Sequence, residues 1–200
     1  MSDLHLVMHG LAVKKLASAK AVADLLALDE ATVAGHLDAL VRDKKALAAR
    51  QAFMLTPDAQ NELKASYATI YANLRSNEKF TAAYERFEIV NRDLKQLVTE
   101  WQTMEVAGES VPNDHSNPEW DARCIDKLGA LHERCEGFLA DFAGVVPRFG
   151  AYAKRLEAAL DKVEAGEHAY FSAPKLDSYH TVWFEMHEDL LRLLGRTRDE

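Results

Sequence analysis

A mainly helical protein is what this 200-residue sequence predicts, and three observations carry that expectation. Apolar residues recur at three- and four-residue spacing through most of the chain, the period of an amphipathic helix. Helix-starting residues stand where those periods begin: Ser18 before "AKAVADLLA", Asp29 before "EATVAGHLDALV", and Thr56-Pro57 before "DAQNEL". Turn-forming residues (Gly108, Pro112, Pro118) gather in one internal stretch, "EVAGESVPNDHSNPEW".

Taken in order, "LHLVMHGLAVKKLA" has helical spacing at Leu4, Val7, Met8, Leu11 and Leu16. A second helix starts after Ser18, and a third after Asp29 with Val33, Leu37, Leu40 and Val41 on its inner side. Two short extended pieces, Ala46–Ala49 and Ala52–Leu55, then join through a turn at Arg50-Gln51. Another helix opens at Pro57. Three helices, a small hairpin and a helix is the order of a winged helix-turn-helix, expected over residues 1–66. Residues 67–200 read as an antiparallel helical bundle. It starts with one long helix or a pair over 67–104, whose core candidates are Tyr67, Ile70, Leu74, Tyr84, Phe87, Leu94, Leu97, Val98 and Trp101. Further helices cover about 118–143 and 147–165, and a last one covers "DSYHTVWFEMHEDLL".

Length, with 48% hydrophobic and 28% charged residues, suits an ordinary globular chain able to bury a sizeable core. No apolar run approaches the ~20 residues that span a bilayer. "MSDLHLVMHG" lacks the basic start and apolar stretch of a signal peptide, so a cytoplasmic protein without membrane attachment is expected. Cys124 and Cys135 lie on one predicted helix about 16 Å apart, too far for a disulfide, and read as small core residues. The net charge of −8 falls entirely after residue 66, because residues 1–66 hold eight basic and eight acidic side chains. Neither part has the positive excess of a nucleic-acid-binding domain.

Two polar concentrations are candidates for function. On the last helix, Tyr179, Trp183, Phe184, Met186, Leu190 and Leu191 form an apolar arc that also holds His180 and His187, with Thr181, Glu185, Glu188 and Asp189 opposite. At i, i+7 the two imidazoles stand about 10.5 Å apart along the axis, which disfavours one shared metal. Each either bonds a buried carbonyl or lines a pocket with Tyr179 and Trp183, one that the loop residues Asn113, Asp114 and His115 could complete. The second concentration is Asn113, Asp114 and His115, either a plain turn or, if the loop folds over the bundle end, an acid/base or anchoring pair. For DNA, the third helix offers Thr32 and His36, with Arg42, Lys44 and Lys45 at its far end and Arg50 in the turn, a poor set for reading bases. No nucleotide-binding loop, nucleophile elbow or cysteine-rich metal site occurs, so no catalytic residue, metal or cofactor is assigned to this chain.

"FMLTPDAQNEL" resembles the strand-to-helix exit of MarR-type winged-helix repressors. Together with "NDHSNPEWD", "VVPRFGAYAKRLEAAL" and "DSYHTVWFEMHEDLLRLLGR", the chain resembles small bacterial proteins associated with phosphoenolpyruvate synthase and pyruvate phosphate dikinase systems. That resemblance implies an accessory, non-catalytic subunit of a dikinase-like phosphotransferase, which positions domains or shapes an acceptor-substrate pocket while a partner chain uses ATP and Mg. "DSYHT" lacks the glycines of a phosphohistidine motif, so His180 receives no such role. Two alternatives stand beside it. One is a ligand-responsive MarR-like regulator that binds DNA and a small molecule, with a homodimer possible. The other is a small enzyme using His115, His180 and His187.

Overall fold

The computed structural model describes residues 2–106 and 108–198. It is mainly helical, with ten α-helices and two small antiparallel sheets among the described residues. The chain forms two compact units, one made of residues 1–77 and 185–200, the other of 78–184. The boundary expected after residue 66 falls inside a helix, Pro57–Ile70, because its inner residue Tyr67 belongs to the core of the first unit.

In the first unit, α1 (Asp3–Lys14), α2 (Ala19–Leu26), α3 (Glu30–Arg42) and α4 (Pro57–Ile70) each start at a side-chain cap. Ser2, Ser18, Asp29 and Thr56 accept from the backbone N–H three residues on, which satisfies a donor the helix leaves unpaired. Between α3 and α4, β1 (Ala46–Ala49) pairs with β2 (Ala52–Leu55) through Arg50 and Gln51. Both turn residues have positive φ, 49° and 66°, as a tight two-residue hairpin demands. Phe53 exchanges two backbone hydrogen bonds with Ala17 (2.8 and 3.1 Å), tying the hairpin to the α1–α2 connection. Val7, Leu11, Val22, Leu25, Val33, Leu37, Leu40 and Leu63 make the core. Gly10 permits close approach of α1 and α2: a Cβ there would meet the Leu26 side chain at 3.0 Å. Leu4 and Leu16, expected in the apolar spacing, are exposed, as is Ile70. They lie at or near helix ends, where a helical period continues past the surface it packs on. A short helix, α5 (Ala72–Arg75), follows α4.

The second unit begins with α6 (Glu78–Gln102) and ends with the start of α10 (Tyr179–Leu194), the helix that leads back into the first unit. Between them come β3 (Thr103–Val106), β4 (Glu109–Pro112), α7 (Pro118–Val145), α8 (Gly150–Glu164) and α9 (Ala169–Ser172). The stretch read as a plain loop thus contains an antiparallel hairpin, in the register Thr103↔Pro112 to Val106↔Glu109. Aromatic side chains fill the interior: Phe80 against Phe142 at 5.0 Å, Phe142 against Phe149 at 5.6 Å, and Phe87 stacked on Trp183 at 4.9 Å. Trp183 also donates its indole N–H to Asn91 Oδ1 at 2.9 Å, so the one polar atom of a buried indole has a partner. Cys124 and Cys135 are buried free thiols.

The single-arc reading of the last helix is corrected. Phe184, placed in the buried arc, is 38% exposed, whereas Glu185 and Asp189, placed opposite, are buried, Asp189 completely. The physical reason lies in partners distant in sequence. Asp189 Oδ1 lies 2.9 Å from His9 Nε2, and His9 Nδ1 lies 2.9 Å from the Tyr67 hydroxyl. Glu185 pairs with Lys14 at 2.8 Å. A helix face that looks solvent-facing by composition is thereby covered by α1 and α4.

Removing one partner of a buried hydrogen bond leaves the other unsatisfied, at a cost of about 1–3 kcal/mol. Asp189→Ala and His9→Ala should each lower the unfolding free energy by an amount of that order, measured by urea denaturation. The double variant should lose clearly less than the two losses added; simple additivity would mean the side chains do not interact.

Candidate functional site

Polar side chains that could carry chemistry are brought together in the second unit, where β4 passes into α7. Asn113 continues the hairpin, its backbone N–H donating to Gln102 O at 2.9 Å. Its side-chain amide donates to Trp101 O at 2.9 Å and to Asp121 Oδ1 at 3.0 Å. Its Oδ1 accepts from the His115 backbone N–H at 3.0 Å, closing a local turn. That turn holds His115 at φ +60°, a left-handed conformation that non-glycine residues adopt at a cost. Asn117 then caps α7 by accepting from Trp120 N–H, and one turn further in, Asp121 projects back at the loop.

Asp121 is buried, and both its oxygens lie within 3.1 Å of His115 Nδ1. An ionised carboxylate only accepts, so the contact has Nδ1 donate, and Nε2 is the nitrogen that Asp121 does not engage. His168, at the start of α9, brings a second imidazole, its Nδ1 3.9 Å from Asp121 Oδ2. The two rings are 6.3 Å apart and both are partly exposed. Beneath them Trp101 lies 4.5 Å from the His115 ring and stacks face to face on Phe171 at 4.2 Å. The arrangement is a buried carboxylate orienting an accessible imidazole, beside a second imidazole and an aromatic floor. Chemically it can accept a proton from a hydroxyl or hold an acidic group.

The other sequence-predicted residues are placed as follows. Asp114 is exposed and accepts from Ser116 N–H at 3.0 Å; the Ser116 hydroxyl first, and then this N–H, hold its carboxyl below the usual range. The carboxylate that serves His115 is therefore Asp121. Tyr179 and Trp183 are core side chains of the second unit, and Tyr179 OH lies 3.1 Å from His132 Nδ1 and 3.9 Å from Cys135 Sγ. His180 is half-buried and His187 buried, in the parts of α10 that belong to the second and first units respectively. On α3, Thr32 N–H and Oγ1 both bond Asp29, His36 is half-buried, and Arg42 sits 3.8 Å from Asp43. Lys45 is paired with Glu62 at 2.8 Å, while Lys44 and Arg50 lie at turns with positive φ. Sequence reasoning missed Asp121 and His168. Asp121 reads as one more acid in the first turn of a helix, and His168 stands alone in "GEHAYF". No helix among the described residues is long and apolar enough to cross a membrane, and no group of three or more His, Cys, Asp or Glu there could hold a metal ion.

Two outcomes test this geometry. Asp121→Asn keeps the shape but removes the charge and turns one of the two acceptor oxygens at Nδ1 into a donor, so ¹⁵N NMR of the His115 ring should show a smaller share of the Nδ1–H tautomer. Asp121→Ala should also cost about 1–3 kcal/mol, because Asn113 loses a buried acceptor. Separately, burial pushes the Cys135 thiol up to about 12 and the Tyr179 hydroxyl well above its ordinary value. Acids whose folded pKa is raised contribute stability below their unfolded pKa and lose it as pH climbs toward the folded value. Melting temperature should therefore fall above roughly pH 9, and less so in Cys135→Ala when each variant is compared with itself near neutral pH.

The chain matches no protein-family model, no curated protein and no solved structure.

Proposed function

We propose that this chain is an accessory subunit that holds a small hydroxyl-bearing acceptor at His115 for a dikinase-like phosphotransferase. ATP and Mg are bound by the partner chain. The observation that carries the reading is the Asp121–His115 pair (3.0 Å), which leaves Nε2 to take the proton of an acceptor hydroxyl. His168 and the Trp101–Phe171 stack supply a second polar contact and an apolar wall. The partner class comes from the sequence resemblance. Within this reading the order α1, α2, α3, β1, β2, α4 is a winged helix-turn-helix used for protein docking. The capping role of Thr32 and the Lys45–Glu62 pair leave α3 little with which to read bases.

The same element order favours a second reading, a ligand-responsive DNA-binding regulator. A two-part experiment separates them. Tagged protein purified gently from its native source should bring down an enzyme that mass spectrometry identifies as ATP-using. In the reconstituted complex, His115→Gln should cut phosphoryl transfer on the order of 10²-fold or more with ATP binding intact, the usual scale for a lost acid–base group. Absence of any ATP-using partner, or sub-micromolar sequence-specific binding to duplex DNA near physiological salt, would overturn the subunit reading.

A further inference from the structure

The first unit holds a cavity of about 450 Å³ at the C-terminal end of α10, remote in sequence from His115. Its walls come from α4, α5, the C-terminal part of α10 and residues 195–198. Among the described residues, Lys64, Arg75, Arg192, Arg196 and Arg198 line it together with one carboxylate, Glu188, which lies 2.8 Å from Arg192 and 3.8 Å from Arg198. On a chain of net charge −8, such a concentration of positive charge in one concavity is a local construction, not a consequence of composition. The volume lies in the range of small-molecule sites.

The fold works to put the cations there. At Gly195 (φ +68°) α10 ends in a reversal closed by Arg196 N–H donating to Leu191 O at 2.9 Å, the bonding of a Schellman cap. The reversal brings residues 196–198 onto the cavity. Arg75 Nε donates to Leu193 O at 2.9 Å, so this guanidinium caps the carbonyl end of α10 at the cavity's edge. A Cβ at residue 195 would meet Arg75 Nη2 at 2.7 Å, so the glycine is needed both for its φ and for the room Arg75 occupies. Arg192 pairs with Glu188 at 2.8 Å through Nη2, while its Nε is buried and makes no hydrogen bond among the described residues. The rest of its guanidinium lines the cavity beside Tyr67, the side chain being 25% exposed, and it is this part that an incoming oxygen can reach. Tyr67 completes that wall, its hydroxyl held by His9 Nδ1 at 2.9 Å.

We propose that this cavity binds a small molecule carrying a phosphate monoester, with the phosphate on Arg192 and Arg75 and the organic body against Leu191 and Ala68. Two guanidinium forks suit a dianionic, multidentate phosphate better than a single carboxylate would require. The apolar lining and the volume leave room for more than the phosphate itself. This site is independent of the acceptor reading at His115.

Isothermal titration calorimetry on the full chain with inorganic phosphate, AMP and adenosine tests it. Phosphate and AMP should bind, AMP more tightly, and adenosine should not. Arg192→Gln should weaken AMP on the order of tenfold or more, the loss of a charge-assisted contact. Ala68→Asp, at an exposed position that no core packing depends on, should do the same by placing a carboxylate in the cavity. Lys20→Gln, which removes one positive charge elsewhere in the same unit, should leave affinity unchanged. The proposal is overturned if neither phosphate nor AMP binds, if adenosine binds as well as AMP, or if Ala68→Asp and Arg192→Gln bind AMP like the parent.

Discussion

Asp189 is a carboxylate with no exposure to solvent, and the first unit is built around the need to satisfy it. An isolated charge of this kind cannot be buried without compensation. Its acceptor oxygen takes His9 from α1, and His9 in turn takes Tyr67 from α4. One polar chain therefore joins three helices that the covalent order separates by as many as 180 positions. The bond geometry fixes what apolar packing alone would leave adjustable, since leucines and valines slide at little cost but a buried hydrogen bond to a carboxylate is directional. The half-buried Lys14–Glu185 pair repeats the constraint one turn earlier on α10. The same helix end presents Arg192 and the Gly195 reversal, so the basic cavity inherits its shape from this anchorage.

The second unit uses the same chemistry to a different end. Asp121 is also buried and also grips an imidazole, with Asn113 as an additional donor. The difference lies at the far side of the ring. His9 is engaged at both nitrogens and fully buried, so it can only hold the fold together. His115 is engaged through Nδ1, partly exposed, and held at a strained φ by a loop between a hairpin and a helix cap. Strain, exposure and an oriented nitrogen in one place are characteristic of sites that meet a ligand. Burial separates these two histidines where residue type cannot.

The aromatic interior explains how that loop stays put. Trp101 ends α6 with its carbonyl bonded by Asn113 and its ring stacked on Phe171 of α9. The position of His115 thus depends on packing from two elements beyond its own loop. His168 sits three residues before Phe171, which explains how a remote histidine reaches the same carboxylate.

Helix starts, the β1–β2 hairpin, the two buried cysteines and the long helices over 118–145 and 179–194 were legible in the sequence because each depends on local chemistry. Caps bond three residues away, and a helical period is visible within a dozen residues. The polar turn at Asn113 and His115 was legible for the same reason. The β3–β4 hairpin was not, since its four-residue strands carry too little alternation to stand out beside Gly108 and Pro112. Nor were Asp189 and Asp121 as buried partners. An acid on a helix is assigned to solvent unless something covers it, and what covers these two is His9, 180 residues away, and a loop folded back onto α7. Local sequence determined which segments are helices and where they begin. Only the tertiary structure decided which charges are buried, because a buried charge is specified by its partner and not by its neighbours.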